Sequence, residues 1–144
     1  MKRETLENLP SWASTMLREE RVARLGFADD TGAPRVLPVT FALHDGVLWT
    51  AIDNKPKRSA EPARVRWLRA RPAAALTVDR YDDEWSRLAW VQVLGVVTVL
   101  DVVAVTDAVA ALAAKYPQYR DDPPPGPILR LAATRALSWT SVPR

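Results

Sequence analysis

The 144 residues predict a mainly β domain: an antiparallel barrel of about six strands with helical additions. Three observations carry that expectation. Apolar residues alternate through "RVLPVTFAL" with Leu37, Val39 and Phe41 on one face; "HDG" at His44–Gly46 is a tight-turn sequence; and "LAWVQVLGVVTVL", Leu88–Leu100, is long and rich in β-branched residues. At this length and 48% apolar composition, one domain spanning 1–144 buries a sizeable core without staples.

Taken in order, Ser11–Glu20 has the composition of a helix. Trp12, Met16 and Leu17 fall on one side, and Pro10 suits its start. A strand follows over Arg21–Ala28. "DDTGAP", Asp29–Pro34, is dense in turn formers and leads into "RVLPVTFAL", making a hairpin. In "HDG", Asp-Gly supplies the positive φ of a two-residue loop, which explains His44 better than a catalytic role does. The strand Val47–Asp53 comes next. Then Ser59 is placed to cap a helix whose first turn holds Pro62, with Val65 and Leu68 facing inward and Pro72 ending it. Ala73–Asp79 reads as a strand and "RYDDEWSR" as a polar excursion.

The strand Leu88–Leu100 is apolar on both alternating faces, so each face requires cover; a small barrel has one interior, and the second face must meet a helix or another subunit. Gly95 marks a bulge or bend within it. Thr106–Lys115 is an alanine-rich helix with Thr106 as its cap, "PPPGP" is a stiff connector, and "ILRLAATRALSWT" is a closing strand of helix-like ambiguity. Trp12, Trp49 and Trp67 fit core positions. Trp85 and Trp90 could pack a subunit interface or cover an aromatic ligand.

Several chemistries are excluded or disfavoured by composition. Without cysteine there is no disulfide, thiolate nucleophile or Cys-based metal site, and one histidine leaves little for a triad or a metal. No metal is expected: the acidic run Asp82, Asp83 and Glu84 reads as a solvated turn. The five glycines form no phosphate-binding loop, so any phosphate must be held by side chains. No apolar run spans a bilayer and Met1–Pro10 is no leader, so neither membrane association nor export is expected, and the protein is placed in the cytoplasm.

The net charge of +3 is unevenly held. Residues 53–71 carry seven bases and two acids, or +5, leaving −2 elsewhere. So local a cluster favours a small anionic ligand over nucleic acid, which is met by bases spread across a wide face. Lys55, Lys57 and Arg58 surround Pro56 just after an apolar strand, where cations can neutralise a phosphate. A solvated helix face is the competing reading, and it suits Arg64, Arg66, Arg69 and Arg71 individually.

In this order, "RVLPVTFAL", "HDG", "LWTAID" and "NKPKR", followed by a helix and "RPAAALTVD", resemble the pyridoxamine 5′-phosphate oxidase-like split β-barrel family, FMN-binding-protein-like in fold. "VDRYDDEWSRLAWVQVLG", "KYPQY" and "LSWT" are similar to its branch of probable coenzyme F420-dependent enzymes. The resemblance implies a homodimer of six-stranded antiparallel split barrels with the cofactor in a groove between subunits. It implies that Leu37, Pro38, Val39 and Thr40 run beside the ring system and that Thr50, Ala51 and Ile52 line the ribityl side. Lys55, Lys57 and Arg58 would hold the phosphate, and Trp85 and Arg87 complete the implied cofactor-binding set. The implied cofactor is coenzyme F420, an 8-hydroxy-5-deazaflavin, with FMN as the alternative. The acidic tail of F420 suits the additional arginines. The implied activity is hydride transfer to or from a small organic substrate; Tyr81, Thr40 or water could deliver the proton, with none singled out. A flavin or deazaflavin carrier without enzymatic activity is the contrasting possibility.

Overall fold

In the computed structural model, residues 6–52 and 61–141 are described. The elements run α1 (Ser11–Glu19), β1 (Ala23–Ala28), β2 (Pro34–Val39), β3 (Ala42–His44), β4 (Val47–Ala51), α2 (Ala63–Ala70), β5 (Ala73–Arg80), β6 (Ala89–Leu100), α3 (Thr106–Lys115), α4 (Gln118–Asp121) and β7 (Ile128–Thr140). The seven strands among the described residues form one antiparallel sheet in the order β2-β1-β5-β6-β7-β4-β3. It curls as a half-barrel with helical additions.

The expected count of six is corrected to seven, because "RVLPVTFAL" is two strands. Its alternation continues unbroken, but β2 pairs with β1 at one edge of the sheet while β3 pairs with β4 at the other. Thr40 and Phe41 carry the chain across between them. Lacking a ladder, this crossover is held by side chains: the Tyr116 hydroxyl accepts from the Phe41 N–H at 3.1 Å, and Thr50 Oγ1 donates to the Thr40 carbonyl at 2.6 Å.

Two cores flank the sheet. On the inner face, Met16 and Leu17 of α1 and Val65 and Leu68 of α2 pack against Leu25, Leu76, Val91, Val93 and Leu131. Burying each such side chain stabilises by ~1.5–3 kcal/mol. On the outer face, α3 sends Ala108 and Leu112 onto Ala42, Trp49, Ala51 and Ile128, with Tyr116 closing the cluster. Trp49 is buried as expected, while Trp12 and Trp67 are half-buried at the margin of the inner core.

Local signals fare unevenly. Asp45 and Gly46 take φ of 56° and 72°, the conformation a two-residue hairpin loop needs. Asp29 organises the first turn by accepting the Thr31 N–H, the Thr31 hydroxyl and the Ala33 N–H; the hydroxyl bond is foremost in holding its carboxyl below the usual range. The cap assignments need correction. Thr106 is the first helical residue, with Val105 at the cap position, and Pro62 precedes α2 rather than entering it; neither cap residue makes a side-chain bond. A preset proline φ and backbone bonds from Val65 and Arg66 to the Pro62 carbonyl suffice to begin α2. Ser59 lies outside the described residues.

The β6–β7 ladder extends from Ala89↔Thr140 to Leu100↔Ile128 and shifts register at Leu94/Gly95. Leu94 pairs with Arg135 but Gly95 with Ala133, leaving Thr134 as the extra residue of a bulge; its hydroxyl donates to the Leu94 carbonyl. A Cβ on Gly95 would lie 2.1 Å from the Ala132 carbonyl oxygen, so only glycine fits. Gly95→Ala is expected to lower stability by about 1–3 kcal/mol, measured by urea denaturation. An unchanged midpoint would show that the bulge tolerates a side chain.

Candidate functional site

The segments expected to face a cofactor divide into two groups. The crossover brings the first together: Thr40 follows β2, Thr50 lies in β4, and the Thr50–Thr40 hydrogen bond joins them. Leu37 and Val39 turn inward against the first core, so Pro38 is exposed and Thr40 half-exposed beside them. Thr50, Ala51 and Ile52 are buried, Ile52 in the inner core and Ala51 against α3. β4 thus offers a ligand chiefly backbone, on a rigid strand that leads directly into the cationic stretch. Lys55, Lys57 and Arg58 themselves lie outside the described residues.

The other group sits elsewhere. Trp85 and Arg87 form a 3-10 turn just before β6, next to the end of β7: the Ser141 N–H donates to the Leu88 carbonyl. Ala51 instead pairs with Ile128, where β7 starts. β7 is 13 residues long, roughly 40 Å along the strand at about 3.3 Å per residue. Within the chain, therefore, Trp85 and Arg87 are not brought to Thr50–Ile52. Trp85 is 69% exposed and Tyr81 68%.

The arginines of α2 are mostly engaged within the chain. Arg69 pairs with Glu61 at 2.8 Å, which lowers the Glu61 carboxyl below its usual range; Arg66 donates to the Glu61 carbonyl and Arg71 to the Asp29 carbonyl, each at 2.7 Å. Half-buried Arg64 makes no hydrogen bond or ion pair with another described residue. Of the expected diffuse positive field on this helix, Arg64 is the cation left uncommitted among the described residues.

The acidic run is a local turn. Asp82 Oδ1 accepts the Glu84 N–H at 2.8 Å and Asp82 meets Arg87 at 3.6 Å, while Glu84 accepts from Ser86. Among the described residues, no group of three or more His, Cys, Asp or Glu side chains is placed to hold a metal ion. No helix among them is long and apolar enough to cross a membrane.

Two residues that composition did not single out organise the crossover. Tyr116 takes the Phe41 N–H and lies within bonding distance of the carbonyls of Arg21 (2.9 Å) and Phe41 (3.1 Å); its one hydrogen serves one of them at a time. The Tyr119 hydroxyl lies 2.7 Å from Thr40 Oγ1. The available signal was their three-residue spacing in "KYPQY", which places both hydroxyls on one side of a helical turn. Lys115, next to them, stacks its Nζ 3.6 Å from the Phe41 ring centroid, and Arg21 donates to the Lys115 carbonyl. The ammonium is buried and has no hydrogen-bond partner among the described residues. Burial pushes its pKa down to about 8, the Arg21 charge adds to the shift, and Glu20 opposes it.

The outer face of β6 and the far half of β7 is open. Trp90 pairs across the ladder with Trp139; they are 36% and 43% exposed. Val36 is 64% exposed on β2, and between it and Leu94 runs a shallow groove of about 510 Å³ floored by Gly26, Ala75 and Gly95. Of the two apolar faces read from β6, the inner one is covered by α1 and α2, and the outer one is covered by no described element along this half.

A family described as Pyridoxamine 5′-phosphate oxidase matches residues 11–140. No curated protein matches. Among solved structures, the conserved hypothetical protein Rv2991 from Mycobacterium tuberculosis aligns with a TM-score of 0.77 at 17% identity, over 100% of this chain and 95% of its own. A FAD-binding protein from Mesorhizobium loti aligns with a TM-score of 0.68 at 21% identity, over 90% of this chain and 94% of its own. An F420 reductase aligns with a TM-score of 0.65 at 21% identity, over 90% of this chain and 98% of its own. Heme-binding proteins share the fold as well. At these identities the likeness is one of fold.

The buried Lys115 ammonium has a thermodynamic signature. The unfolded chain holds a lysine proton up to its ordinary pKa of 10.5, whereas the folded chain releases it near 8. Between those values the unfolded state binds more protons, so stability rises with pH. Tyr116, whose pKa burial raises above 10.0, acts in the opposite sense only at higher pH. Urea denaturation at pH 7.5 and 9.5 is expected to show a gain in the wild type that Lys115→Met lacks. Equal responses would remove Lys115 as its source.

Proposed function

Since the chain belongs to the pyridoxamine 5′-phosphate oxidase family over residues 11–140, we propose that it is a homodimeric oxidoreductase that binds coenzyme F420 and passes a hydride between it and a small organic substrate. The observation that carries this reading is the junction of the crossover with β4. The Thr50–Thr40 bond fixes an extended surface, and β4 runs from it into Lys55, Lys57 and Arg58. A planar ring beside Pro38 and Thr40, with a phosphate on the following cations, suits that order of parts.

When bound, the cofactor supplies the hydride chemistry; the chain supplies orientation, a dry surface and neutralising charge. Coenzyme F420 is favoured over FMN because its acidic tail extends the negative charge, and residues 53–71 carry +5. Arg64, which no other described residue engages, stands at the start of α2 and is the described residue best placed in sequence to serve that tail. Lys55, Lys57 and Arg58 take the phosphate. Thr40 presents a hydroxyl, and the backbone of Thr50–Ile52 lines the chain between ring and phosphate.

The homodimer reading rests on what one protomer lacks. Trp85 and Arg87 stand at the far end of β7 from Thr50–Ile52, and a two-fold partner packed on the open Trp90/Trp139 face supplies a second copy of each. The site is then composite, with aromatic cover from one subunit and a phosphate cradle from the other. Arg24 and Asp79, ion-paired at 3.1 Å, share that outer face with Trp90 through the register and provide a polar rim.

Titration of cofactor-free protein with coenzyme F420 and with FMN, at two salt concentrations, tests the cofactor. Tighter binding of F420, weakened by salt, is expected; preference for FMN would move the protein to flavin chemistry, and binding of neither would overturn the reading. Lys57→Glu is expected to weaken F420 binding by roughly 10- to 100-fold, as loss of a charge-assisted bond does, while the circular dichroism melt is unchanged. In sedimentation, Trp90→Arg is expected to yield monomers with impaired cofactor binding. A dimeric variant with full affinity would show that another face holds the subunits together.

A further inference from the structure

The outer face of the sheet carries a ridge and a hollow on one surface. Its ladders set three rows across the strands, each two residues, or about 7 Å, from the next. Asp79, Trp90 and Trp139 make the first row, Thr77, Gln92 and Leu137 the second, and Gly26, Ala75 and Leu94 the third. The indoles of Trp90 and Trp139, 36% and 43% exposed, rise from the first row as a ridge. In the third row Gly26 and Ala75 offer nothing larger than a methyl group, and the groove of about 510 Å³ opens there between Val36 and Leu94 and runs on past Gly95. The Thr77–Gln92 row lies midway between ridge and groove.

A ridge cannot fill a hollow beside it on the same surface, but a second copy can. A two-fold axis lying in the face along the Thr77–Gln92 row carries the ridge of each subunit over the groove of the other, which is the self-complementarity an isologous contact requires. We propose that the two subunits interlock by this rotation, with Trp90 and Trp139 of each seated in the groove of the other floored by Gly26, Ala75 and Gly95. The inference rests on the homodimer reading given above and adds the register in which the faces meet.

Charge and polarity agree with that register. Asp79 and Arg24, paired at 3.1 Å, bring no net charge to the contact. Asp79 stands in the ridge row and Arg24, opposite Thr77, in the middle row, so the rotation carries the acid of each subunit toward the partner's Arg24. On the axis itself Gln92 faces its own copy. Gln92 Nε2 donates to Thr77 Oγ1 at 3.4 Å, and the amide carries a further hydrogen and a carbonyl oxygen, the complement of the same group on the partner's Gln92. From β2 to β7 this face is five strands wide, roughly 24 Å each way and about 600 Å² when taken as flat. The relief of the indoles brings it toward the roughly 800 Å² per subunit of a standard interface.

Complementary variants test the interlock. Ala75→Phe fills the groove and keeps the ridge; Trp90→Ala cuts the ridge and keeps the groove. Each variant alone has two mismatched contacts and is expected to dissociate about 100-fold more readily than the wild type in sedimentation over a concentration series, with thermal melts showing both folded. Mixed one to one, they restore each other, because the intact ridge meets the intact groove and the cut ridge meets the filled one. Native mass spectrometry is expected to show dimers holding one copy of each. Variants that stay monomeric on mixing, or an Ala75→Phe protein that dimerises as the wild type does, would overturn the interlock and leave the homodimer and cofactor readings standing. A wild type that sediments as a monomer throughout would overturn the homodimer reading and this inference with it. If Ala75→Phe does not fold, single cysteines decide, since the chain has none of its own. Gln92→Cys, on the axis, is expected to be linked to its own copy by a short bismaleimide, and Thr98→Cys, exposed on the same face of β6 but off the axis, is not. A dimeric Gln92→Cys protein that does not link, or equal yields from both positions, would overturn the register.

Discussion

Two backbones approach at Gly95 and Ala132 more closely than any side chain permits, and the arrangement of the sheet follows from that approach. The extra residue, Thr134, shifts which residues of β7 point outward: Arg135, Leu137 and Trp139 beyond the bulge, Ala132 and Arg130 before it. One strand thereby presents inward Leu129, Leu131 and Ala136 on both sides of a break in its alternation. Its first part keeps Ile128 under α3, and its last part is left open beside Trp90. Without the bulge, one of these faces would be inverted.

The same strand separates the two parts of the candidate site. It separates Thr50–Ile52 from Trp85 and Arg87 within the chain, and its open half is where the second subunit of the proposed dimer would rejoin them. The crossover is the opposite kind of structure. It spans the edges of the sheet on side-chain hydroxyls: Tyr119 of α4 and Thr50 of β4 meet Thr40, and Tyr116, just past α3, meets Phe41. A ladder resists small displacements collectively, whereas such a junction depends on individual bonds.

Period-two patterns over well-separated runs made most of the fold legible. The length of β6, its two apolar faces, the irregularity marked by Gly95 (its extra residue, Thr134, lies on the facing strand) and the Asp-Gly hairpin all rest on local stereochemistry, which a single chain displays. The division at Thr40–Phe41 was hidden because alternation passes through it undisturbed; the break is made by tyrosines more than seventy residues away. Cap positions were misread for a related reason, since backbone bonds and proline geometry did the work assigned to hydroxyls. At the site, charge density was visible but its disposition was not. Whether an arginine is free depends on neighbours such as Glu61 and the Asp29 carbonyl, which engage Arg66, Arg69 and Arg71.

The prolines of β2 have a consequence for how the sheet ends. Alternate residues of a strand point their N–H groups to the same side, so Pro34, Val36 and Pro38 share one. Proline cannot donate into a ladder, so that side is the one turned away from β1. Along this edge Val36 offers the one N–H where three would otherwise stand, beside an exposed apolar side chain that would invite a stray strand. At the opposite edge β3 is only three residues long. A sheet with one apolar face open is thus poor at growing sideways: association is steered toward packing face to face and away from the strand-by-strand extension that ends in aggregates.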